Sequence, residues 1–283
     1  MSFSSEIKQE LNKSSSLVNK ENVKYELIGY LLSGNIDEAN KSTIKFSTES
    51  DYNINRFSKL LTNLDIGHNI DVNGKNFIIK VKNKDVEKYS NIDEILYIKE
   101  EQLRIVARGI FMGSGSINNP ENKYHLEIVL KSEDIQELAN NIFIKLGIKM
   151  KKLSMPNKYS LYIKEAEEIS RFLALIGANR AVLNFEDIRI QKEMRGKVNR
   201  LVNCETANLN KTINASIEQI SAIKKLQTSG KFNKLDDKLK EIAILRIENP
   251  DISLVELGKL LKEPVGKSGV NYRLKKIMEI ANE

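Results

Sequence analysis

The 283-residue chain, with 41% hydrophobic and 29% charged residues, has the composition of a globular protein, and its length predicts about two domains. One cysteine excludes a disulfide scaffold, and only two histidines, His68 and His125, argue against a zinc site, so no metal and no cofactor is predicted. Because no apolar run approaches the roughly 18 residues of a membrane span, we expect a cytoplasmic protein. The net charge of +7 suggests a polyanionic partner if the basic residues are concentrated.

The chain begins with a leader, residues 2–19, that is predicted to form a short helix with Ile7 and Leu11 on its buried face. An internal repeat follows. Gly29 and Gly109 lie 80 residues apart in similar segments, and the offset later becomes 82, as in Ile44 with Leu126. Each copy is predicted to contain an apolar helix, a strand, an amphipathic helix and a second alternating stretch. The predicted strands lie at 43–48, 76–82, 125–131 and 159–163.

The duplication predicts a two-lobed α+β domain with pseudo-twofold symmetry. The repeats cover about 21–100 and 101–185 and form, with the leader, an N-terminal domain at 1–185. The period of about 80 residues is longer than that of a solenoid, whose repeats run roughly 20–50 residues. A coincidental likeness of two helix–strand–helix units is the alternative.

Residues 186–230 are predicted to form a helical linker, because the strand pattern stops after about Phe185. Its lone cysteine, Cys204, is interpreted as a helix-packing residue, since no general base or metal partner is identifiable beside it. Five cations stand against the single acid Glu193 between residues 189 and 200; we call them the linker cluster. It either follows a phosphate backbone or forms a solvated face. The cluster comprises Arg189, Lys192, Arg195, Lys197 and Arg200, and the apolar stripe of the linker is Ile213, Ile217, Ile220 and Ile223.

Residues 231–283 are predicted to form a C-terminal domain of three helices. The first helix covers 235–248, and the second begins at a capping box formed by Ser253 and Glu256. The third begins at Ser268, predicted to be its N-cap. Three short helices with one small core, the last two joined by a compact turn, are typical of a helix-turn-helix.

The charge of the third helix favours DNA as its partner. Four basic residues and no acid lie between residues 264 and 277. Lys and Arg neutralise phosphates, and Arg and Asn can make bidentate contacts with guanine and adenine in the major groove. A solvated basic face on a packing helix is the alternative. The predicted DNA-binding residues are Lys267, Ser268, Asn271, Tyr272, Arg273, Lys275 and Lys276, with Arg195 and Arg200 of the linker cluster.

The segment ARGIFMGSGS, residues 107–116, resembles the LAGLIDADG motif of homing endonucleases. In that family two such helices pack through small residues, and each ends in a carboxylate that holds Mg²⁺ over the scissile phosphate. The resemblance places these acids at Gly34 and Ser114, neither of which can ligate a metal as a carboxylate. Asp37 and Glu38 follow about one helical turn later and are interpreted as a solvated loop. No catalytic residue is predicted.

A degenerate two-copy LAGLIDADG domain followed by a helix-turn-helix is the architecture of the WhiA family of bacterial sporulation and cell-division regulators. The chain resembles this family over nearly its whole length, in the segments SFSSEIKQEL, ARGIFMGSGSINNPENKYHLEIVL, NRLVNCETANLNKT and SLVELGKLLKEPVGKSGVNYRLKKI. The resemblance implies a non-enzymatic, sequence-specific DNA-binding protein associated with the nucleoid. It implies a transcriptional regulator in cell division, chromosome segregation or sporulation, whose partners are double-stranded DNA and other transcription or division proteins.

Two other functions stay open at this point. One is a metal-dependent homing-type DNA endonuclease, which the two missing acids argue against. The other is a protein-interaction scaffold of the division machinery, in which the basic helix is incidental. A scaffold predicts little affinity for DNA even at low salt, whereas a DNA-binding regulator predicts an affinity that falls steeply with salt.

Overall fold

A computed structural model of the protein describes residues 2–14, 16–40, 42–89, 95–156 and 158–283, and the side chains at 38–40 lie outside the description. The chain divides into two compact units, Met1–Glu193 and Met194–Glu283. One long helix, α8 (Asn179–Thr228), begins in the first unit and ends in the second, and the predicted linker 186–230 coincides with most of it. The limits of that linker as a separate segment stay a prediction. None of the described helices is both long and apolar enough to cross a membrane.

The first repeat follows the leader helix α1 (Phe3–Ser14) in the chain and forms a four-stranded antiparallel sheet. Its strands lie in the order β1-β2-β4-β3. Side-chain caps define where its helices begin: Asn19 accepts the N–H groups of Glu21 and Asn22, and Ser50 accepts that of Asn53. The elements of this lobe are α2 (Lys20–Leu31), β1 (Ile36–Asn40), β2 (Thr43–Thr48), α3 (Asp51–Asn63), β3 (His68–Asn73), β4 (Asn76–Lys82) and α4 (Asn83–Val86).

The second repeat has the same architecture, with the strand order β5-β6-β8-β7. The identical strand order in the two sheets confirms the predicted duplication and the two-lobed α+β fold. The elements of this lobe are α5 (Glu100–Ser114), β5 (Gly115–Ile117), β6 (Leu126–Leu130), α6 (Glu133–Lys145), β7 (Lys151–Met155), β8 (Lys158–Ile163) and α7 (Ala166–Ile176).

The predicted strands correspond to the two central strands of each sheet, whereas the outer strands were not predicted. One local interpretation is wrong for this reason. Asp37 and Glu38 lie in the outer strand β1 and not in a loop, with the Asp37 side chain exposed and that of Glu38 outside the described residues. His68 begins the outer strand β3, and its Nε2 lies 2.7 Å from the hydroxyl of Ser58.

The two lobes meet where α2 crosses α5. Small residues allow the close approach: a Cβ on Gly29 would lie 2.2 Å from the carbonyl oxygen of Val106, and one on Gly109 would lie 2.2 Å from that of Glu26. One turn further on, a Cβ on Gly113 would lie 2.4 Å from the hydroxyl of Ser33. The glycines thus bring the two helix backbones into direct contact, as the resemblance to the LAGLIDADG motif implies.

The second unit is all-helical, with α9 (Asp237–Glu248), α10 (Leu254–Lys259) and α11 (Lys267–Asn282) packed on the end of α8. Its buried core includes Ile223 and Leu226 of α8. The predicted capping box at Ser253 and Glu256 is confirmed. The predicted N-cap at Ser268 is wrong, because α11 begins at Lys267 and Gly266 holds the N-cap position without a side-chain hydrogen bond.

Candidate nucleic-acid interface

The third helix of the second unit, α11, is amphipathic. Val270, Leu274, Ile277 and Ala281 are buried in the core of the unit. The opposite face is exposed and holds most of the predicted DNA-binding residues. They are Lys267, Ser268, Asn271, Tyr272, Lys275 and Lys276, whereas Arg273 is half-buried beside them.

The cations of this face have no acidic partner in the described part of the unit. The ion pairs there join Lys238 to Glu263 at 3.1 Å and Lys240 to Asp237 at 3.9 Å, and neither uses a residue of α11. Tyr272 is 67% exposed, and its ring is therefore available for contact rather than used in the core. A helix with uncompensated positive charge and an exposed Asn and Tyr has the groups needed for phosphate and base-edge contacts.

The turn between α10 and α11 holds this face in place. The Val265 N–H donates a hydrogen bond to the Gly258 carbonyl, with an N···O distance of 3.2 Å. A Cβ on Gly258 would lie 2.2 Å from the Val265 carbonyl oxygen, so only glycine fits at this position of α10. The turn therefore closes tightly enough for the two helices to pack as a helix-turn-helix.

The linker cluster divides into engaged and free cations. Arg189 pairs with Glu186 at 3.3 Å and Glu193 at 3.5 Å. The Nζ of Lys192 donates to the carbonyl groups of Pro120, at 3.1 Å, and Asn122, at 2.7 Å.

The remaining cations of the cluster, Arg195, Lys197 and Arg200, are exposed on α8 without an ion pair among the described residues. They follow the residues that mark the end of the first unit. Cys204, one turn beyond Arg200, is also exposed, so its predicted packing role is wrong.

Gly34 and Ser114 stand at the two positions where the resemblance to the endonuclease family places acids, and both are hydrogen-bonded within the fold. The Gly34 N–H donates to the Val129 carbonyl at 2.9 Å, and the Ser114 hydroxyl donates to the same carbonyl. A Cβ on Gly34 would lie 2.8 Å from a methyl group of Val129. Within the described residues no group of three or more His, Cys, Asp or Glu side chains is placed to hold a metal ion.

A buried ion cluster lies next to the helix crossing and was missed by the sequence reasoning. The Glu26 carboxylate accepts from Arg56 Nε at 2.7 Å and from Arg108 Nη2 at 2.8 Å. Burial alone would raise the pKa of Glu26, but the two guanidinium groups outweigh it and lower the pKa. The only local signal in the sequence was a glutamate within the apolar stretch that precedes Gly29.

Two family profiles match the chain. The WhiA LAGLIDADG-like domain matches residues 103–195, and the WhiA C-terminal HTH domain matches residues 198–281. The crystal structure of full-length DUF199/WhiA from Thermatoga maritima is 31% identical, with a TM-score of 0.65. The match covers 100% of this chain and 98% of the chain in that structure. The crystal structure of the N-terminal LAGLIDADG domain of DUF199/WhiA is 28% identical, with a TM-score of 0.55. The match covers 62% of this chain and 92% of the chain in that structure.

Curated relatives agree with these matches. The "Probable cell division protein WhiA" of Clostridium perfringens (strain SM101 / Type A) is 49% identical over 193 residues, which cover 68% of this chain. The protein of the same name from Clostridium acetobutylicum is 46% identical over 205 residues, which cover 72% of this chain. The chain spans about 61% of the length of the first of these relatives and 65% of the second.

A two-lobed LAGLIDADG-like fold with glycine and serine at positions 34 and 114, followed by a helix-turn-helix, defines the class of this protein. Within that class, this chain belongs to the WhiA family. The predicted family and fold class are thereby confirmed.

Proposed function

We propose that the protein is a sequence-specific double-stranded DNA-binding protein whose helix α11 enters the major groove. The observation that carries the proposal is the charge of α11. Lys267, Lys275 and Lys276 are exposed and Arg273 is half-buried beside them, none has an acidic partner in the described residues, and the opposite face fills the core. The proposed contacts to bases and phosphates come from Lys267, Ser268, Asn271, Tyr272 and Arg273, and those to the backbone from Lys275 and Lys276.

A salt titration of DNA affinity tests this proposal. The logarithm of the association constant falls linearly with the logarithm of the salt concentration, with a slope of about 0.9 per neutralised phosphate. Replacing Lys275 by alanine in the full chain is expected to reduce the slope by about one. Lys224→Ala is the matched control, since Lys224 is an exposed lysine of α8 outside the proposed interface. Wild-type protein that binds no DNA at low salt would refute the proposal and favour the scaffold.

The linker cluster is proposed to add backbone contacts through Arg195 and Arg200. Both are exposed, whereas Arg189 and Lys192 already have partners within the first unit. Arg195→Ala and Arg200→Ala are therefore expected to weaken binding to all DNA sequences equally, because phosphate contacts carry no sequence information. An unchanged affinity in both variants would assign the cluster to a solvated helix face.

We propose that the protein does not cleave DNA. Gly34 and Ser114 cannot supply the carboxylates that a metal-dependent nuclease needs, and both donate to the Val129 carbonyl. Incubation of target DNA with stoichiometric protein and Mg²⁺ should leave the DNA intact. Cleavage under these conditions would restore the endonuclease alternative.

The biological role is proposed to be transcriptional regulation in cell division, chromosome segregation or sporulation, at the nucleoid and with other transcription or division proteins as partners. The names of the relatives, which are probable cell division proteins, support the cell-division part of this role. A genome-wide occupancy map of the intact protein and of the Asn271→Ala, Arg273→Ala double variant tests it. Discrete sites that disappear in the variant support a regulator, whereas the same diffuse occupancy in both proteins argues against one.

A further inference from the structure

The second unit contains a small cavity of about 220 Å³ between α8, α9 and the beginnings of α10 and α11. Its walls include Gln219 of α8, Arg246 of α9 and Ser253, the N-cap of α10. Lys211 of α8 and Lys267, the first residue of α11, also line it and are exposed to solvent. The lining therefore holds three cations, and no carboxylate is among the described residues that line the cavity, so its net charge is positive.

Arg246 is the unusual member of this wall, because it is an arginine that is only 1% exposed. Its Nη1 donates to the carbonyl groups of Asn249, at 3.2 Å, and Ile252, at 3.0 Å, but its Nε has no hydrogen-bond partner. No ion pair within the described residues supplies a counter-charge to it. A buried cation without an acid is costly unless an anion approaches it.

Gln219 has the second buried polar atom without a hydrogen-bond partner. It is 6% exposed, and its Oε1 is buried without a hydrogen-bond partner. Buried polar atoms are satisfied in the great majority of cases, so two unpartnered atoms on residues that line one cavity point to a ligand there. The vacant atoms differ in kind: Arg246 Nε–H is a donor, and Gln219 Oε1 is an acceptor.

We propose that this cavity is a binding site for a phosphate group, with hydrogen phosphate or a phosphate monoester as the ligand. Such a group carries acceptor oxygens for Arg246, Lys211 and Lys267 and a P–OH donor for Gln219. A DNA phosphodiester carries only acceptors and would take the NH₂ group of the Gln219 amide instead of its oxygen. Both sources supply the acceptor oxygens that the cations of the cavity need, and DNA binding by the Lys211→Ala variant separates them.

Calorimetric titration of the full chain with inorganic phosphate, in a buffer without other oxyanions and at constant ionic strength, tests the site. Saturable binding of about one phosphate per chain is expected. Lys211→Ala should weaken this binding about tenfold, because it removes one charge-assisted contact. Lys224→Ala, on the same helix but outside the cavity, should leave it unchanged. Absence of saturable binding, or equal weakening in both variants, would overturn the proposal.

A second variant separates a site from an accidental void. Gln219→Leu removes the vacant acceptor and should abolish phosphate binding while the protein keeps its melting temperature in phosphate-free buffer. If Gln219→Leu binds phosphate as tightly as the wild type, the pocket is not the site and the proposal fails.

DNA binding by the Lys211→Ala variant distinguishes the two sources. Unchanged DNA affinity together with weakened binding of free phosphate supports the small ligand. The opposite result has two parts: the wild type shows no saturable binding of free phosphate, and Lys211→Ala reduces the salt slope of DNA binding by about one. This result would assign the cavity to the DNA backbone and overturn the proposed ligand. The calorimetric result does not depend on the proposed function, since wild-type protein that bound no DNA would still bind phosphate.

Discussion

Gly29 and Gly109 face each other at the crossing of α2 and α5, and a Cβ on Gly29 would lie 2.7 Å from the Gly109 Cα. The two residues are equivalent in the repeat, so both lobes contribute the same position to the crossing.

Alanine at either glycine is expected to force the crossing helices apart. Gly29→Ala and Gly109→Ala should each lower the free energy of unfolding by about 1–3 kcal/mol, since overpacking outweighs the higher helix propensity of alanine. Denaturant unfolding measures the change. Gly67→Ala is the control, because a Cβ there would meet nothing within 4 Å, and its stability should be close to that of the wild type. Equal effects at all three positions would contradict the close packing.

The buried carboxylate of Glu26 should be a strong determinant of stability. Glu26→Gln is expected to lower the free energy of unfolding by about 3–5 kcal/mol, because it leaves Arg56 and Arg108 without their counter-charge. Asp71→Asn breaks an exposed pair with Lys80 and should cost less than about 1 kcal/mol. A small loss at Glu26 would show that the arginines find other partners.

The stability that Glu26 contributes with Arg56 and Arg108 should decrease as the pH falls. Because the pKa of Glu26 is lowered in the folded state, its contribution is complete above the ordinary value of 4.5 and is lost as the pH falls through the folded value. Wild-type protein should therefore lose more stability between neutral and acidic pH than Glu26→Gln. Parallel urea titrations of both proteins between pH 7 and about 3 provide the comparison.

Lys8 of the leader helix should oppose folding at neutral pH. Burial lowers its pKa from 10.5 to about 8, and its Nζ lies 5.7 Å from the centre of the Phe111 ring. Lys8→Met is expected to raise the free energy of unfolding by about 1–2 kcal/mol at pH 7.

This gain should shrink as the pH rises from about 8 to 10.5, because the folded wild type loses the proton there while the unfolded chain retains it. Melting curves of Lys8→Met and of the exposed control Lys13→Met across this range give the difference. A gain that does not change with pH would assign the effect to apolar packing alone.

The leader helix also caps the long helix α8. The Glu10 carboxylate accepts the N–H of Arg180 at 2.7 Å and that of Ala181 at 3.0 Å, in the first turn of α8. Glu10→Ala should reduce stability by about 1 kcal/mol, since it leaves these donors without a carboxylate at the positive end of the helix. Glu6→Ala, an exposed glutamate one turn earlier in α1, should change stability much less. Thermal unfolding of the two variants distinguishes a cap from a general loss of negative charge.

The sequence predicted the central strands of both sheets because their side chains alternate. The strand β2 places Ile44 and Phe46 in the core, and its predicted and observed limits coincide. The outer strands β3 and β7 have exposed side chains along nearly their whole length, so they carry no apolar alternation. Their position is determined by backbone pairing with β4 and β8, which the sequence does not display.

Helical periodicity likewise located α8 but not its buried face. Ile223 is completely buried, whereas Ile217, at the same predicted stripe, is 60% exposed. Ser216 and Gln219 are buried instead, with the Ser216 hydroxyl donating to the Pro250 carbonyl at 2.7 Å. Such a polar contact between residues 34 positions apart leaves no periodic signal. The cationic face of α11 was predictable because exposure follows directly from the apolar stripe on its other side.

The charges at the helix crossing distinguish two lobes that are otherwise alike. The repeat pairs Glu26 of α2 with Val106 of α5, so only the first lobe brings an acid, and Arg108 of the second lobe completes its neutralisation. A swapped assembly that paired α2 with α2 would bury two carboxylates without Arg108, and one that paired α5 with α5 would bring two arginines together without an acid. The charges thus disfavour the pairing of two like lobes and direct each first lobe to a second lobe.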